Sequence, residues 1–152
     1  LISQGIPFLH AGCEFCATKN DNSNSYNAGD EINQMDWLRA EFYSDIIEYT
    51  KKCIALRKEY SQFRLKTTEE INARVKVSVS EGGIVFYDVF MQDEKHHIDV
   101  VRVIFNPTFY EKEYDFEPSW KCIFDEFGNA QEEVGTHVYI PALSIRIFAR
   151  IA

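Results

Sequence analysis

No apolar run in this chain approaches the roughly 20 residues that cross a bilayer as a helix. Its first residues also lack the basic stretch and apolar core of an export signal, so neither a membrane span nor an export signal is visible in it. Basic residues are outnumbered: 16 Lys and Arg against 24 Asp and Glu give a net charge of −8. No Lys/Arg stripe is available to neutralise phosphates, which argues against nucleic acid as a partner. Metal-ligand spacing is missing too. Cys13 and Cys16 form a C-x-x-C with His10 close by, but no second C-x-x-C or H-x3-H follows to complete a zinc set. A redox pair normally opens a helix in a βαβ unit, whereas this one ends an apolar run and enters a loop. Four reduced thiols in a cytoplasmic protein are therefore expected, with Cys53 and Cys122 packed as small apolar residues and no metal or cofactor. Internal repeats and low-complexity segments are absent as well.

The chain has 152 residues, 45% of them hydrophobic, enough for one ordinary core or two small ones. Ile6 to Ala11 is a short apolar run opened by Gly5-Ile6-Pro7 and closed by Gly12, the pattern of a strand buried on both faces of a parallel sheet. Pro7 is tolerated near its start. From Lys19 to Asn33 the composition turns to Asn, Asp, Ser and Gly, with only Tyr26, Ala28 and Ile32 apolar. A polar loop of that length inside a compact domain is usually functional or disordered.

After Trp37 the period changes. Phe42, Ile46, Tyr49, Cys53, Leu56 and Tyr60 recur at spacings of four and three, with Glu41, Asp45, Glu48, Lys52 and Glu59 on the other side. This predicts an amphipathic helix, with Glu48 and Lys52 as an i, i+4 pair and Ser61 to Arg64 closing it. From about Thr67 the alternation has period two. Val75, Val77 and Val79 oppose Arg74, Lys76 and Ser78, and Glu81-Gly82-Gly83 turns the chain into Ile84 to Met91. Further strands are predicted at Ile98 to Phe105, Tyr110 to Phe116, Lys121 to Asp125, Val138 to Ile140 and Leu143 to Ile151. Short strands with regular turn signals predict an antiparallel β-sandwich.

The residues Gly5-Ile6-Pro7, His10-Ala11-Gly12, Glu14-Phe15, Thr18-Lys19, Asn24-Ser25-Tyr26-Asn27, Asp30, Ile32-Asn33-Gln34 and Asp36-Trp37 resemble the end of the catalytic barrel of bacterial type I pullulanases. These are α-1,6 debranching members of the α-amylase superfamily. The close match covers roughly the first 65 residues; the departures are Cys13, where the family usually carries Gln, and Cys16-Ala17, where an apolar residue and Arg are common. The resemblance implies a mainly β chain: residues 1–65 as the strand, loop and helix that end a (β/α)8 barrel, and residues 66–152 as a C-terminal β-sandwich. It places the three catalytic carboxylates of the family upstream of Leu1, so the chain is expected to be the C-terminal piece of a larger enzyme and inactive alone. With no parallel neighbour in the chain, Ile6 to Ala11 is expected to be rearranged or paired elsewhere, with self-association of the exposed barrel remnant one route. The helix stripe is expected to pack on the sandwich.

In such barrels the loops after the strands carry the chemistry. Asn24, Tyr26 and Asn27 are accordingly candidate contacts to an α-glucan, through amide and phenol groups and an aromatic face; the alternative is that they only pin the loop. His10 and Glu14 are expected to support the site from behind rather than transfer protons. Asp21, Asp30 and Asp36 lack the spacing and Gly of a calcium loop, so turn or capping roles are expected. His96-His97 reads as a solvated turn. Tyr87, Tyr110, Tyr114 and Trp120 read as packing before they read as a sugar platform. Two other functions stay open: a structural or glucan-binding module, and part of an isoamylase, branching enzyme or amylase.

Overall fold

The polar loop and the β-sandwich meet on one helix. The structure, a computed structural model, describes residues 1–131 and 136–152. Single turns at Cys13–Phe15 and Ser25–Asn27 precede α1 (Asp30–Asn33), α2 (Leu38–Phe42) and α3 (Ser44–Glu59). A turn at Ser61–Phe63 and α4 (Thr68–Arg74) follow. Seven strands follow among the described residues: β1 (Val75–Val79), β2 (Val85–Asp93), β3 (Ile98–Asn106), β4 (Lys112–Asp115), β5 (Trp120–Phe124), β6 (His137–Ile140) and β7 (Ser144–Ile151). All pairings among them are antiparallel.

Five strands form a sheet in the order β1-β2-β3-β7-β5, and β4 pairs with β6 in a second, two-stranded sheet. The large sheet is covered on both faces. On one, Val101 and Val103 of β3 and Ile147 and Ala149 of β7 pack with Leu56 of α3 and Phe63 just after it. On the other, Val100, Ile104 and Phe148 pack with Phe116, Val138 and Ile140 around the small sheet. Hence β3 is buried or half-buried at every residue, Asp99 and Arg102 included. Each fully buried side chain of this kind contributes about 2 kcal/mol against the chain entropy that opposes folding. An irregularity between Cys122 and Phe124 lets β5 aim Cys122 at one core while Ile123 and Phe124 enter the other.

Arginines serve the small-sheet side. Arg102 forks onto Asp88 at 2.7 and 2.8 Å and lies 5.1 Å from the Trp120 ring centre. Arg150 forks onto Asp99 and Arg146 onto Glu126. Each pairing holds the carboxyls of Asp99 and Glu126 below the usual carboxylate range.

The predicted helix, hairpin and sandwich form, with four corrections. Thr67 to Arg74 does not continue the strand period. Thr67 and Glu70 close a capping box, the Thr67 hydroxyl accepting from Glu70 N–H and the Glu70 carboxylate accepting from Thr67 N–H, and this starts α4. Ile6 to Ala11 forms no strand and is neither paired nor folded away: Ile6 is 98% and Phe8 91% exposed. A central parallel strand needs a neighbour on each side; without them water satisfies the backbone. Glu48 pairs with Lys51, because Lys52 reaches across to Phe127 O and Asn129 Oδ1 at 2.9 Å each. His96 is not a solvated turn residue. Its ring lies between Asp93 Oδ2 (3.0 Å) and Glu59 Oε1 (2.7 Å), over the Tyr60 ring, and so ties the end of α3 to the β2–β3 hairpin.

Of the four aromatics weighed as a platform, Trp120 is buried, Tyr87 and Tyr114 are half-buried, and only Tyr110 is well exposed. No helix among the described residues is long and apolar enough to cross a membrane.

Candidate functional site

Gly12 is the pivot between the extended segment and the loop. Its φ of +93° lies in the region that favours glycine. Its carbonyl accepts from Phe15 N–H (3.1 Å) and Ala17 N–H (2.9 Å), while its N–H donates to Glu14 Oε2 at 3.0 Å. A side chain here has no room: a Cβ would lie 2.6 Å from Ala17 Cβ and 3.1 Å from Met35 Cε. Next to it, buried Phe15 rests on Trp37 with ring centres 5.8 Å apart, so both ends of the loop are fixed together.

Between those ends the loop is laced by side chains onto its own carbonyls. The Asn33 amide donates to Ser25 O (2.7 Å) and Ala28 O (2.6 Å), which holds the Ser25–Asn27 turn. Lys19 reaches Ile32 O and Asn33 O, and Arg39 forks onto Cys16 O at 3.0 and 2.6 Å. Asn24 N–H donates to Asn22 Oδ1. The effect is a folded polar loop whose outermost aromatic, Tyr26, is 84% exposed, with Asn24 and Asn27 exposed beside it. Amide and phenol groups held on such a turn can bond sugar hydroxyls without first ordering the backbone.

His10 and Glu14 lie elsewhere. They line a cleft of about 450 Å³ with Cys13, facing Ile47, Thr50 and Ile54 of α3. One oxygen of the Glu14 carboxylate accepts from Gly12 N–H and so braces the pivot. The structure thus brings His10 and Glu14 to one wall and sets Asn24, Tyr26 and Asn27 on a separate turn. Lys19 and Asn33 carry the resemblance in the sequence but no bonding role, and Arg39 is not distinguished there; the density of Asn and Asp is the one sign of a self-bonded loop. Among the described residues no group of three or more His, Cys, Asp and Glu is placed to hold a metal. All four cysteines are free; Cys13 is exposed, while burial pushes the Cys122 thiol up to about 11.

No protein-family model matches the chain. Pullulanase of Bacillus subtilis (strain 168) is 36% identical to it over 94 residues, which cover 62% of this chain and 13% of that protein. The solved structure of pullulanase from Bacillus acidopullulyticus superposes with a TM-score of 0.85 at 28% identity, over 98% of this chain and 19% of that one. Type I pullulanase from Bacillus subtilis str. 168, solved with maltose, superposes with a TM-score of 0.83 at 25% identity, over 97% of this chain and 21% of that one. The chain is similar to the C-terminal part of type I pullulanases. Superposition of 98% of it leaves no room to omit the solvated Ile6–Ala11 segment or the polar loop. The chain spans about an eighth to a fifth of the length of these pullulanases.

Proposed function

We propose that this chain is the C-terminal piece of a glycoside hydrolase of the α-amylase superfamily that cleaves α-1,6-glucosidic branch linkages in pullulan and related α-glucans. In this reading residues 1–65 end the catalytic barrel and residues 66–152 form the sandwich behind it. Retaining glycosidases of this kind need two carboxyl groups about 5 Å apart. The resemblance assigns these to chain upstream, while Glu14 braces Gly12. The contribution of this piece is orientation: Tyr26 and Asn27, with Asn24, hold an α-glucan at the mouth of the barrel, and His10 and Glu14 shape the base of the loop.

The observation that carries the reading is the whole-chain superposition on pullulanases, loop included. The test compares the purified chain with the full-length protein that carries it. The chain alone releases no reducing sugar from pullulan, and the full-length protein cleaves pullulan but not linear amylose. Activity of the isolated chain, or a full-length enzyme acting only on α-1,4 linkages, would overturn the proposal.

A further inference from the structure

Arg57 is a cation buried to 7% exposure in the last turns of α3. Its fork is spent on main-chain carbonyls: Nη1 donates to Leu1 O and Ser3 O at 2.7 Å each, and Nη2 to Gly5 O at 2.6 Å. Burial, with Arg64 nearby, pulls its pKa below the ordinary arginine value, so these carbonyls are what satisfy the buried charge. Gln4, between Ser3 and Gly5, points its amide the other way. It donates to Gln62 O (2.9 Å) and Tyr87 Oη (2.7 Å) and accepts from Leu65 N–H (3.0 Å). Leu1 to Gly5 is thereby stitched to α3 on one side and to the sandwich on the other. Gly5, at φ +85°, then releases the chain into the solvated Ile6–Ala11 run.

The far end of that run is fixed as well. The Cys13–Phe15 turn packs on α3, and Leu9 to Glu14 face Ile47 to Ile54 across the cleft. Ile47 to Arg57 spans about 15 Å of helix, while Gly5 to Gly12 reaches about 23 Å when extended. The run is therefore drawn back along α3, opposite in direction to it, which is the orientation a strand–helix unit of a barrel needs. Two anchors hold it there without a sheet.

We infer that Arg57, assisted by Gln4, is a positioning residue for glucan cleavage. It fixes where the Ile6–Ala11 run departs and, through the Gly12 pivot, where Tyr26 and Asn27 arrive. This rests on the proposed role of the Asn24–Asn27 turn.

The test uses the full-length protein that carries this chain, as Arg57→Lys, Arg57→Ala and Gln4→Ala, with kinetics on pullulan, melting temperature and amide hydrogen exchange. A lysine keeps the charge but cannot fork onto three carbonyls. Arg57→Lys is expected to lower kcat/KM about tenfold to a hundredfold, mainly in kcat, with faster exchange at Leu1–Gly12 and unchanged exchange in β3. Added guanidinium ion should partly restore Arg57→Ala. Gln4→Ala, a neutral change, should shift the same readouts less, and it decides the matter if the Arg57 variants do not fold. Faster exchange at Leu1–Gly12 with full kcat/KM would overturn the inference, as would activity lost only in proportion to folded protein. If the unaltered protein does not cleave pullulan, the proposed function fails, and exchange alone still decides whether Arg57 and Gln4 anchor the segment.

Discussion

Replacing Gly12 by alanine tests whether the polar loop is held from its pivot. At φ +93° an L side chain is disfavoured by about 1–2 kcal/mol. The new Cβ, 2.6 Å from Ala17 Cβ, adds an overpacking penalty of about 1–3 kcal/mol. The two together come to roughly 2–5 kcal/mol, acting where three hydrogen bonds converge on one residue. Since 1.4 kcal/mol is a factor of ten in an equilibrium, local opening of the loop should rise at least about tenfold. The sandwich, with α3 closing one of its two cores, is not touched by the change and should keep its melting temperature nearly unchanged. Hydrogen exchange by mass spectrometry reads both at once: peptides from 10 to 39 should exchange faster, and peptides from β3 should not. The double variant Gly12→Ala/Ala17→Gly removes the overlap but not the backbone strain, so it should recover about half of the loss. Unchanged exchange in Gly12→Ala, or no recovery in the double variant, would refute the reasoning.

Three further outcomes follow from named contacts. In the full-length enzyme, Tyr26→Ala and Asn27→Ala should lower kcat/KM on branched glucan with little change in melting temperature; stability loss with full specific activity would show that the turn only pins itself. Asp88→Ala strands the Arg102 guanidinium among Phe86, Phe116 and Trp120 and should cost about 3 kcal/mol by urea unfolding, whereas Asp88→Ala/Arg102→Met should cost less than the single change. Acid should destabilise the sandwich: Asp99 and Glu126, lowered by Arg150 and Arg146, contribute stability that is full above the unfolded carboxyl pKa and is lost as pH falls through the folded one. Melting temperature followed from pH 7 down to pH 3 should fall less steeply in Glu126→Gln/Arg146→Met than in the unaltered chain.

Where a pattern in the sequence reflected a single periodicity, it was readable. The stripe through Tyr49, Cys53 and Leu56 marked the face of α3 that packs on the sheet, and Ile145 and Ile147 opposed Arg146 along β7 as the cores require. What escaped depended on partners distant in sequence or on competing local signals. Thr67 and Glu70 carried a capping signature, but the valines that follow suggested a strand beginning too early. Lys52 left Glu48 for carbonyl and amide oxygens some 75 residues away, which no helical spacing reveals. His96 likewise acquired Glu59 only because the hairpin folds over the end of α3. In the loop, composition indicated self-bonding, yet which Asn holds and which is free follows from geometry: Asn33 is spent on carbonyls, while Asn24 and Asn27 stay exposed.

Because α3 supplies one wall of the core behind the five-stranded sheet, the sandwich is not portable on its own. A graft that starts at Lys66 would present Val101, Val103, Ile147 and Ala149 to water, in a sheet whose β1 edge already shows Val77 and Val79. Such a graft should aggregate through that bare face. One that begins at Ser44 brings its own cover, so the smallest module worth moving between enzymes includes a helix that sequence likeness assigns to the barrel.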